Sequence, residues 1–422
     1  MKILILIEIT SLGGHVISAF TTGRELKKRG HDVHFAAGGG PLSEEIKKQF
    51  PFYELDFYHY HYFRETYFQF KSFITLHQLM QIKNIDQFDH IHAFDARSYI
   101  IASMLKLIKK IPVTCTLCGS LAPYNNIPIC RKLIVFSEEQ RDKLINVFGW
   151  GKKNIAVIST RIDMEQFQKI DRQEVEDLYK LYNIDPADKN IMMVTNFLEP
   201  KKTSILSVLD ASRIFLKKHE DVRMVFIGGR GTFFKEAQII GKKINQELGR
   251  GAVFFTGTVV NAYKLLMHSY IVLGVGRSAF EGMAFKKPTL IVGAKGFAGA
   301  VSPENIEQLS YYNFAGRNLT REVDHKMLAN EILKLVEDQE YYRKNQEFGY
   351  SFLKRKIDIK AGIPSIEKAY IENQSHEINN SRLDQVFDIT KTLLAIILEN
   401  YYNFFKMIFM KSGKGKILDK YL

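Results

Sequence analysis

The 422-residue chain has only three cysteines, too few for a disulfide framework, and this fits a reducing compartment. No stretch reaches the roughly 20 apolar residues of a membrane-crossing helix. The nearest run, 392–410, is broken by Glu399 and Lys406. The apolar start, Ile3 to Ile7, ends at Glu8 with no small-residue cleavage site after it, so it reads as a buried first strand rather than a signal peptide. Several motifs are also missing: G-x-G-x-x-G after the first strand, a Walker A loop, H-E-x-x-H, G-x-S-x-G and Asp-x-Asp. Their absence removes the ordinary dinucleotide, nucleotide-triphosphate, zinc-protease and serine-hydrolase readings. It also leaves a metal-bridged nucleotide site unsupported.

What remains is an ordinary globular composition, 46% hydrophobic and 25% charged, which excludes wholesale disorder. Lys and Arg exceed Asp and Glu by 59 − 46 = +13. That excess predicts an anionic partner: nucleic acid, a phosphorylated ligand or a membrane surface.

Short β-rich runs alternate with helical patterns almost throughout. Strands are expected at 2–7, 32–36, 91–93, 113–117, 133–136 and 156–158, with helices at 16–28 and 97–109 between them. A second series follows, with strands at 190–194, 224–227, 253–255, 271–274 and 289–292 and helices at 204–218, 235–248 and 263–268. Continuous apolar strands separated by helices specify parallel βαβ units. The fold class is therefore α/β, with two Rossmann-like parallel-sheet domains, 1–168 and 186–357, expected to face each other across a cleft. The polar segment 165–189 reads as their linker. Residues 358–372 read as a helix crossing back to the first domain, and 373–422 as a basic amphipathic helical tail.

Ligands of such sheets bind beyond the carboxyl ends of the strands, so residues there are the candidates. Gly13-Gly14-His15 follows the first strand, where paired glycines and helix-start amides suit an anion; a plain tight turn would read the same. Gly274-Val275-Gly276-Arg277-Ser278 sits at a strand-to-helix junction. There the amides could cradle a diphosphate, Arg277 could neutralise it and Ser278 could cap the helix. Glu281, one turn further, could accept both hydroxyls of a ribose, although a lone surface glutamate would look alike. Asn196 to Lys201 ends another strand, and Lys201 could bind phosphate as a point charge. His92 and Asp95 cross a strand end and could hydrogen-bond a polar ligand. No third ligand at metal spacing accompanies them, so no metal is expected. Cys115 reads as core, and Cys118 stands at the end of its strand.

Taken in order, these pieces resemble glycosyltransferase family 4, of the GT-B fold. They are Gly13-Gly14 with 26–33, His90 to Ala93, Val135 to Asp142, Val157 to Asp163 with Phe167, Asn196 to Lys201, Phe226-Ile227-Gly228-Gly229, Thr256-Gly257, and Glu281-Gly282-Met283-Ala284 with Lys287-Pro288. The resemblance spans about Met1 to Glu372. It implies an enzyme that moves a sugar from a nucleotide diphosphate, expected to be UDP, with retention and without metal or cofactor. Lys201 matches the lysine that holds the diphosphate; the companion arginine position is Asn196, and Arg277 is a candidate to replace that charge. Gly13, Gly14, Gly228, Gly229, Gly274, Gly276 and Ser278 fall in the donor site. Glu281 matches the second glutamate of the E-x7-E pair, whereas the first falls at Leu273. Cys118 stands where the family has a histidine near the reacting sugar, and His92 is carried with it as a catalytic candidate.

The acceptor expected on these grounds is a lipid-linked or polymeric surface glycan. His15, Asp95, Tyr60 and Tyr62 are the acceptor-side candidates, the tyrosines lying in an aromatic and basic stretch, 57–73. Two alternatives stay open: an inverting transferase with His15 as base, and a non-catalytic nucleotide-sugar-binding protein. No nucleic-acid motif is present. The last 22 residues carry five Lys against one Asp, 5 − 1 = +4, with aromatic and aliphatic bulk, which suits an anionic membrane surface for 383–422. The expected location is cytoplasmic, on the inner face of the membrane.

Overall fold

The computed structural model describes residues 1–57, 72–118, 127–128, 132–229, 231–293, 296–316 and 324–377, with 383, 386–387, 389–394 and 398 beyond them. Tyr60 and Tyr62 lie outside the described residues. The chain divides into two compact units. The first takes Met1–Phe136, Gln140–Ile158 and the chain from Gly362 onward; the second takes Ser137–Glu139 and Ser159–Ala361.

Up to residue 158 the elements are β1 Lys2–Ile9, α1 Gly14–Lys28, β2 Asp32–Gly38, α2 Ser43–Lys47, β3 Phe52–Glu54, α3 Ser72–Met80, β4 His90–Phe94, α4 Ala96–Lys109, β5 Val113–Leu117, β6 Leu133–Val135, α5 Glu138–Asn146 and β7 Ile155–Val157. The strands form one parallel sheet in the order β3-β2-β1-β4-β5-β6-β7. Ile3 to Ile7 have no solvent exposure, because β1 is central and covered on both faces. In α1 the buried side is Val16, Ala19, Phe20 and Leu26. Gly23 completes that side, since a Cβ there would stand 2.8 Å from the Phe35 ring.

The first unit is completed by most of a long helix that follows the second unit. That helix runs from Ile359 to Glu377 and buries Ile363, Ile366, Ala369 and Tyr370. It is anchored to β4 and β5 by polar groups. His92 Nδ1 lies 2.7 Å from the Tyr370 hydroxyl, and His92 Nε2 lies 2.7 Å from Thr116 Oγ1. Asn373 Nδ2 donates to the Lys132 carbonyl, and Asn373 Oδ1 accepts from the Lys132 amide. Arg29 grips Glu367 with two guanidinium nitrogens at 2.9 and 3.0 Å.

The histidine network corrects one expectation. His92 is not at a ligand site: it is fully buried and both ring nitrogens have partners. Burial lowers its pKa from the usual 6.5 to about 3. The unfolded chain therefore binds the extra proton between pH 6.5 and pH 3, so stability is present above 6.5 and falls as pH drops through this window. At pH 5 the His92 contribution to the loss is about 2 kcal/mol relative to pH 8. His90, also buried, shifts in the same direction. The sole tryptophan, Trp150, packs on this core and reports its unfolding. Urea midpoints read by Trp150 fluorescence are expected to fall between pH 8 and pH 5, with a smaller fall in His92→Gln. An equal fall in both proteins would refute the assignment.

The second unit contains α6 Met164–Gln168, α7 Arg172–Leu181, β8 Lys189–Val194, α8 Lys202–Lys218, β9 Val222–Ile227, α9 Phe234–Leu248, β10 Val253–Phe255, β11 Ile271–Gly274, α10 Arg277–Ala284, β12 Thr289–Gly293, β13 Gly296–Ala300, α11 Ile306–Tyr311, α12 His325–Glu337 and α13 Gln339–Lys356. The long helix of the first unit, α14 Ile359–Glu377, follows. The sheet order is β10-β9-β8-β11-β12-β13, parallel except for the antiparallel edge β12–β13.

Segment 165–189 is not a simple linker. It forms α6 and α7, and α7 buries Val175 and Tyr179 against the second sheet, with the Tyr179 hydroxyl donating to the Leu265 carbonyl at 2.6 Å. Valine and tyrosine four residues apart share a helix face, a signal masked by the surrounding charges. The helix expected at 263–268 is instead a 3₁₀ turn, Ala262–His268.

Candidate functional site

In each sheet the strand order reverses at one point: between β1 and β4 in the first unit, and between β8 and β11 in the second. Loops leaving the carboxyl ends of two such strands splay apart and open a crevice. Several candidates picked from sequence, His15 and Asp95 in the first unit and Asn196, Lys201 and Glu281 in the second, follow the strands at these two points, and Cys118 follows the neighbouring β5.

In the second unit, β8 leads through Thr195–Leu198 into a 3₁₀ turn, Glu199–Lys201, and then α8. Lys201 is half-buried, with Nζ 3.5 Å from Thr195 Oγ1, and partial dehydration lowers its pKa below 10.5. A cation held short of full hydration at the start of a helix is suited to receive a phosphate. Asn196 Oδ1 is buried with no hydrogen-bond partner among the described residues, so its amide is a natural contact for a polar ligand.

β9 ends beside this loop at Gly228-Gly229. Gly228 has φ +134°, and a Cβ on it would lie 1.9 Å from the Thr195 carbonyl oxygen. A Cβ on Gly229 would lie 2.9 Å from Gly257 Cα. Both glycines let loops approach, and they set the position of Thr195 and the turn after it. Gly228→Ala combines a backbone clash with a disfavoured φ, and we expect it to cost at least about 3 kcal/mol. Thermal melting checks this; an unchanged Tm would contradict the close approach.

β11 turns into α10 through only Val275 and Gly276. Gly276 adopts φ +52° and ψ −119°, and its N–H donates to the Phe314 carbonyl at 2.7 Å. The Val275 N–H donates to Ser278 Oγ. These two amides are therefore not available to a phosphate, contrary to the sequence expectation. Ser278 braces the turn from within and does not cap the helix, whose N-cap is Gly276. Gly274 is required because a Cβ would meet Ser278 Oγ at 2.6 Å. Leu273, where the resemblance puts the first glutamate, is a fully buried sheet residue paired with Met193 and Leu290.

Glu281 is buried in α10, with Oε1 accepting from Arg277 Nε at 2.9 Å one helical turn earlier. Burial raises its pKa, and the guanidinium opposes the rise. Arg277 also donates through Nη1 to the Arg161 carbonyl at 2.9 Å. It thus fixes the Glu281 carboxylate in place, a positioning role that the sequence reading did not give it. Arg161 is a residue that reading quoted without a role. It is buried, donates to Ser159 O and to Asn313 Oδ1, and lies over the Phe280 ring at 4.6 Å. The only sequence signal was a buried-type motif carrying a charge, Ser159-Thr160-Arg161-Ile162-Asp163.

In the first unit, Gly13 is the N-cap of α1 and Gly14 its first residue. A Cβ on Gly13 would lie 2.7 Å from His15 Cε1, so the His15 ring folds back over it. Across the reversal point, Asp95 caps α4 with φ +69° and ψ 165°, a region that side chains rarely occupy. The Cys118 N–H donates to Asp95 Oδ1 at 3.0 Å. Burial raises the Asp95 pKa, with His15 and the Cys118 N–H opposing and Glu8 assisting. Cys118 is half-exposed at the end of β5, with Sγ 3.8 Å from the Thr116 carbonyl. This crevice therefore joins His15, Asp95 and Cys118 and leaves out His92.

Comparison with known proteins bears out the resemblance. The profile of Glycosyltransferase Family 4 matches residues 12–166. The chain is 24% identical over 359 residues to N-acetyl-alpha-D-glucosaminyl L-malate synthase of Bacillus anthracis, covering 79% of this chain and 87% of that one. Among solved structures, a glycosyltransferase from Rickettsia africae superposes with a TM-score of 0.63 at 16% identity, covering 90% of this chain and 99% of that one. HepE of Anabaena in complex with UDP-glucose gives 0.63 at 16%, covering 89% and 100%. The UDP-GlcNAc 2-epimerase of Neisseria meningitidis bound to UDP-GlcNAc gives 0.60 at 15%, covering 88% and 100%. These structural likenesses establish the GT-B fold.

Proposed function

We propose that this glycosyltransferase, whose residues 12–166 carry the family 4 domain on a GT-B fold, takes a UDP-sugar as donor and a lipid-linked or polymeric glycan as acceptor. The observation that carries the donor reading is the Lys201–Glu281 arrangement. A partly dehydrated ammonium and a buried, guanidinium-held carboxylate stand at the two strand ends that flank one reversal point. The first suits a diphosphate and the second a ribose diol. The UDP and UDP-sugar complexes among the structural neighbours support uridine as the base.

Lys201 and the amides that open α8 stabilise the diphosphate as it leaves. They supply the positive charge locally, so the proposal needs no metal. Glu281 holds the ribose, and Arg277 holds Glu281. Transfer is proposed to proceed with retention: the acceptor oxygen attacks the anomeric carbon on the face of the departing phosphate, which takes the acceptor proton. Asp95 and His15 are proposed to contact the acceptor in the first unit. The electrostatic influence of His15 on the buried Asp95 carboxyl favours a second reading, an inverting reaction with His15 as general base. Product anomeric configuration by NMR separates the two. Under the inverting reading His15→Ala loses nearly all activity, and a modest loss counts against it.

A thermal-shift panel tests the donor class. UDP-sugars are expected to raise Tm, by an increment that grows with concentration, and GDP- and ADP-sugars to leave it unchanged. Stabilisation by every nucleotide alike, or by none, would overturn the reading.

A further inference from the structure

Asn313 and Phe314, just after α11, are adjacent residues in the left-handed region, with φ +55° and +54°. Asparagine tolerates this conformation, but a bulky ring there is an outlier, so the surroundings must hold the pair in place. Two contacts do so. The Phe314 carbonyl accepts the Gly276 N–H at 2.7 Å, and Asn313 Oδ1 accepts from Arg161 Nη2. The Phe314 ring is buried and packs T-shaped on Phe280 at 4.9 Å. The other side of the contact set belongs to Arg161, whose guanidinium lies over the same Phe280 ring at 4.6 Å.

All of these contacts land on one short stretch of the second unit, Gly276 to Glu281. Gly276 opens α10, and Phe280 immediately precedes Glu281. Arg277 donates to the Arg161 carbonyl and grips the Glu281 carboxylate. Arg161 braces the segment that carries this carbonyl. Its backbone N–H donates to the Ile357 carbonyl and its Nη1 to the Ser159 carbonyl, each at 2.9 Å. The guanidinium thus ties the Arg161 backbone to Asn313, while that backbone anchors Arg277. Backbone strain held beside one buried carboxylate, and braced by a buried cation, indicates that the carboxylate is preorganised for a ligand.

We propose, resting on the ribose reading of Glu281, that Arg161 and Asn313 are positioning residues: through Arg277 and the turn into α10 they hold Glu281 in the orientation that reads a ribose diol. Calorimetric titration of the full chain with UDP and 2′,3′-dideoxy-UDP tests this. Wild type is expected to bind UDP about 100-fold more tightly, because the dideoxy analogue leaves two hydrogen bonds to a charged acceptor unmade. Asn313→Gly keeps the left-handed backbone and removes the side-chain oxygen, and Arg161→Met removes the guanidinium at similar length. Both variants are expected to lose most of the preference, through weaker UDP binding with 2′,3′-dideoxy-UDP binding unchanged. Asn313→Asp, which keeps an acceptor oxygen for Arg161, is expected to retain it. A preference that survives intact in Asn313→Gly and Arg161→Met would overturn the positioning role alone. So would an equal loss of affinity for both ligands, which marks a general packing defect. Equal affinities in wild type would overturn the ribose reading of Glu281 and this proposal with it.

Discussion

Glu281→Gln is expected to weaken UDP binding by about 100-fold and to lower stability by about 3 kcal/mol. The first effect follows from losing two hydrogen bonds to a charged acceptor, each worth roughly 1.5–3 kcal/mol before partial compensation. The second follows from the partly buried Arg277 guanidinium, which would lose the carboxylate 2.9 Å away. The two effects separate in the double variant Arg277→Met/Glu281→Leu. Removing both partners takes away the uncompensated charge, so stability should recover toward wild type, whereas UDP binding should not return. Urea denaturation and calorimetric titration measure the two quantities. Recovery of binding in the double variant would show that Glu281 acts only in packing.

Lys201→Ala is expected to lower kcat by 10²–10³-fold with little change in stability. In the proposed reaction the ammonium faces charge that develops as the diphosphate leaves, and loss of one preorganised electrostatic donor typically costs that much. Stability should hold because, among the described residues, the Lys201 ammonium has no ion pair and makes only the long approach to Thr195 Oγ1 at 3.5 Å. The same burial gives a pH signature. The proposed role needs the charged form, and dehydration lowers its pKa below 10.5. The alkaline limb of kcat/KM in wild type should therefore begin below the ordinary lysine range and move upward in Lys201→Arg. An unchanged limb in Lys201→Arg would remove Lys201 from the chemistry.

The sequence revealed the two sheets and the strand-end positions of Lys201 and Glu281 more clearly than the crevice of the first unit. Strands such as Ile271–Gly274 and the Lys201 and Glu281 positions are local features: an apolar run, a strand end, a turn followed by a helix. What escaped depended on distant chain. His92 looks like a strand-end ligand until α14 returns nearly 280 residues later and places Tyr370 against it. The Gly276 amide looks available until Phe314 accepts from it. Arg277 and Arg161 were legible as charges but not as a chain of contacts ending on Glu281. Leu273 shows the reverse: its apolar side chain in a core strand already signalled that the first glutamate of the family pattern has no counterpart at this position.

The central claim is that the reversal point between β8 and β11 recognises a uridine diphosphate, with Lys201 reading the phosphates and Glu281 the ribose. Calorimetric titration of wild type and Lys201→Ala with UDP, UMP and uridine tests it most directly. The account predicts that wild type binds UDP far more tightly than UMP or uridine, and that the preference for the diphosphate collapses in Lys201→Ala while uridine binding is unchanged. Equal affinities for UDP and UMP in wild type, or an undiminished UDP preference in Lys201→Ala, would contradict it.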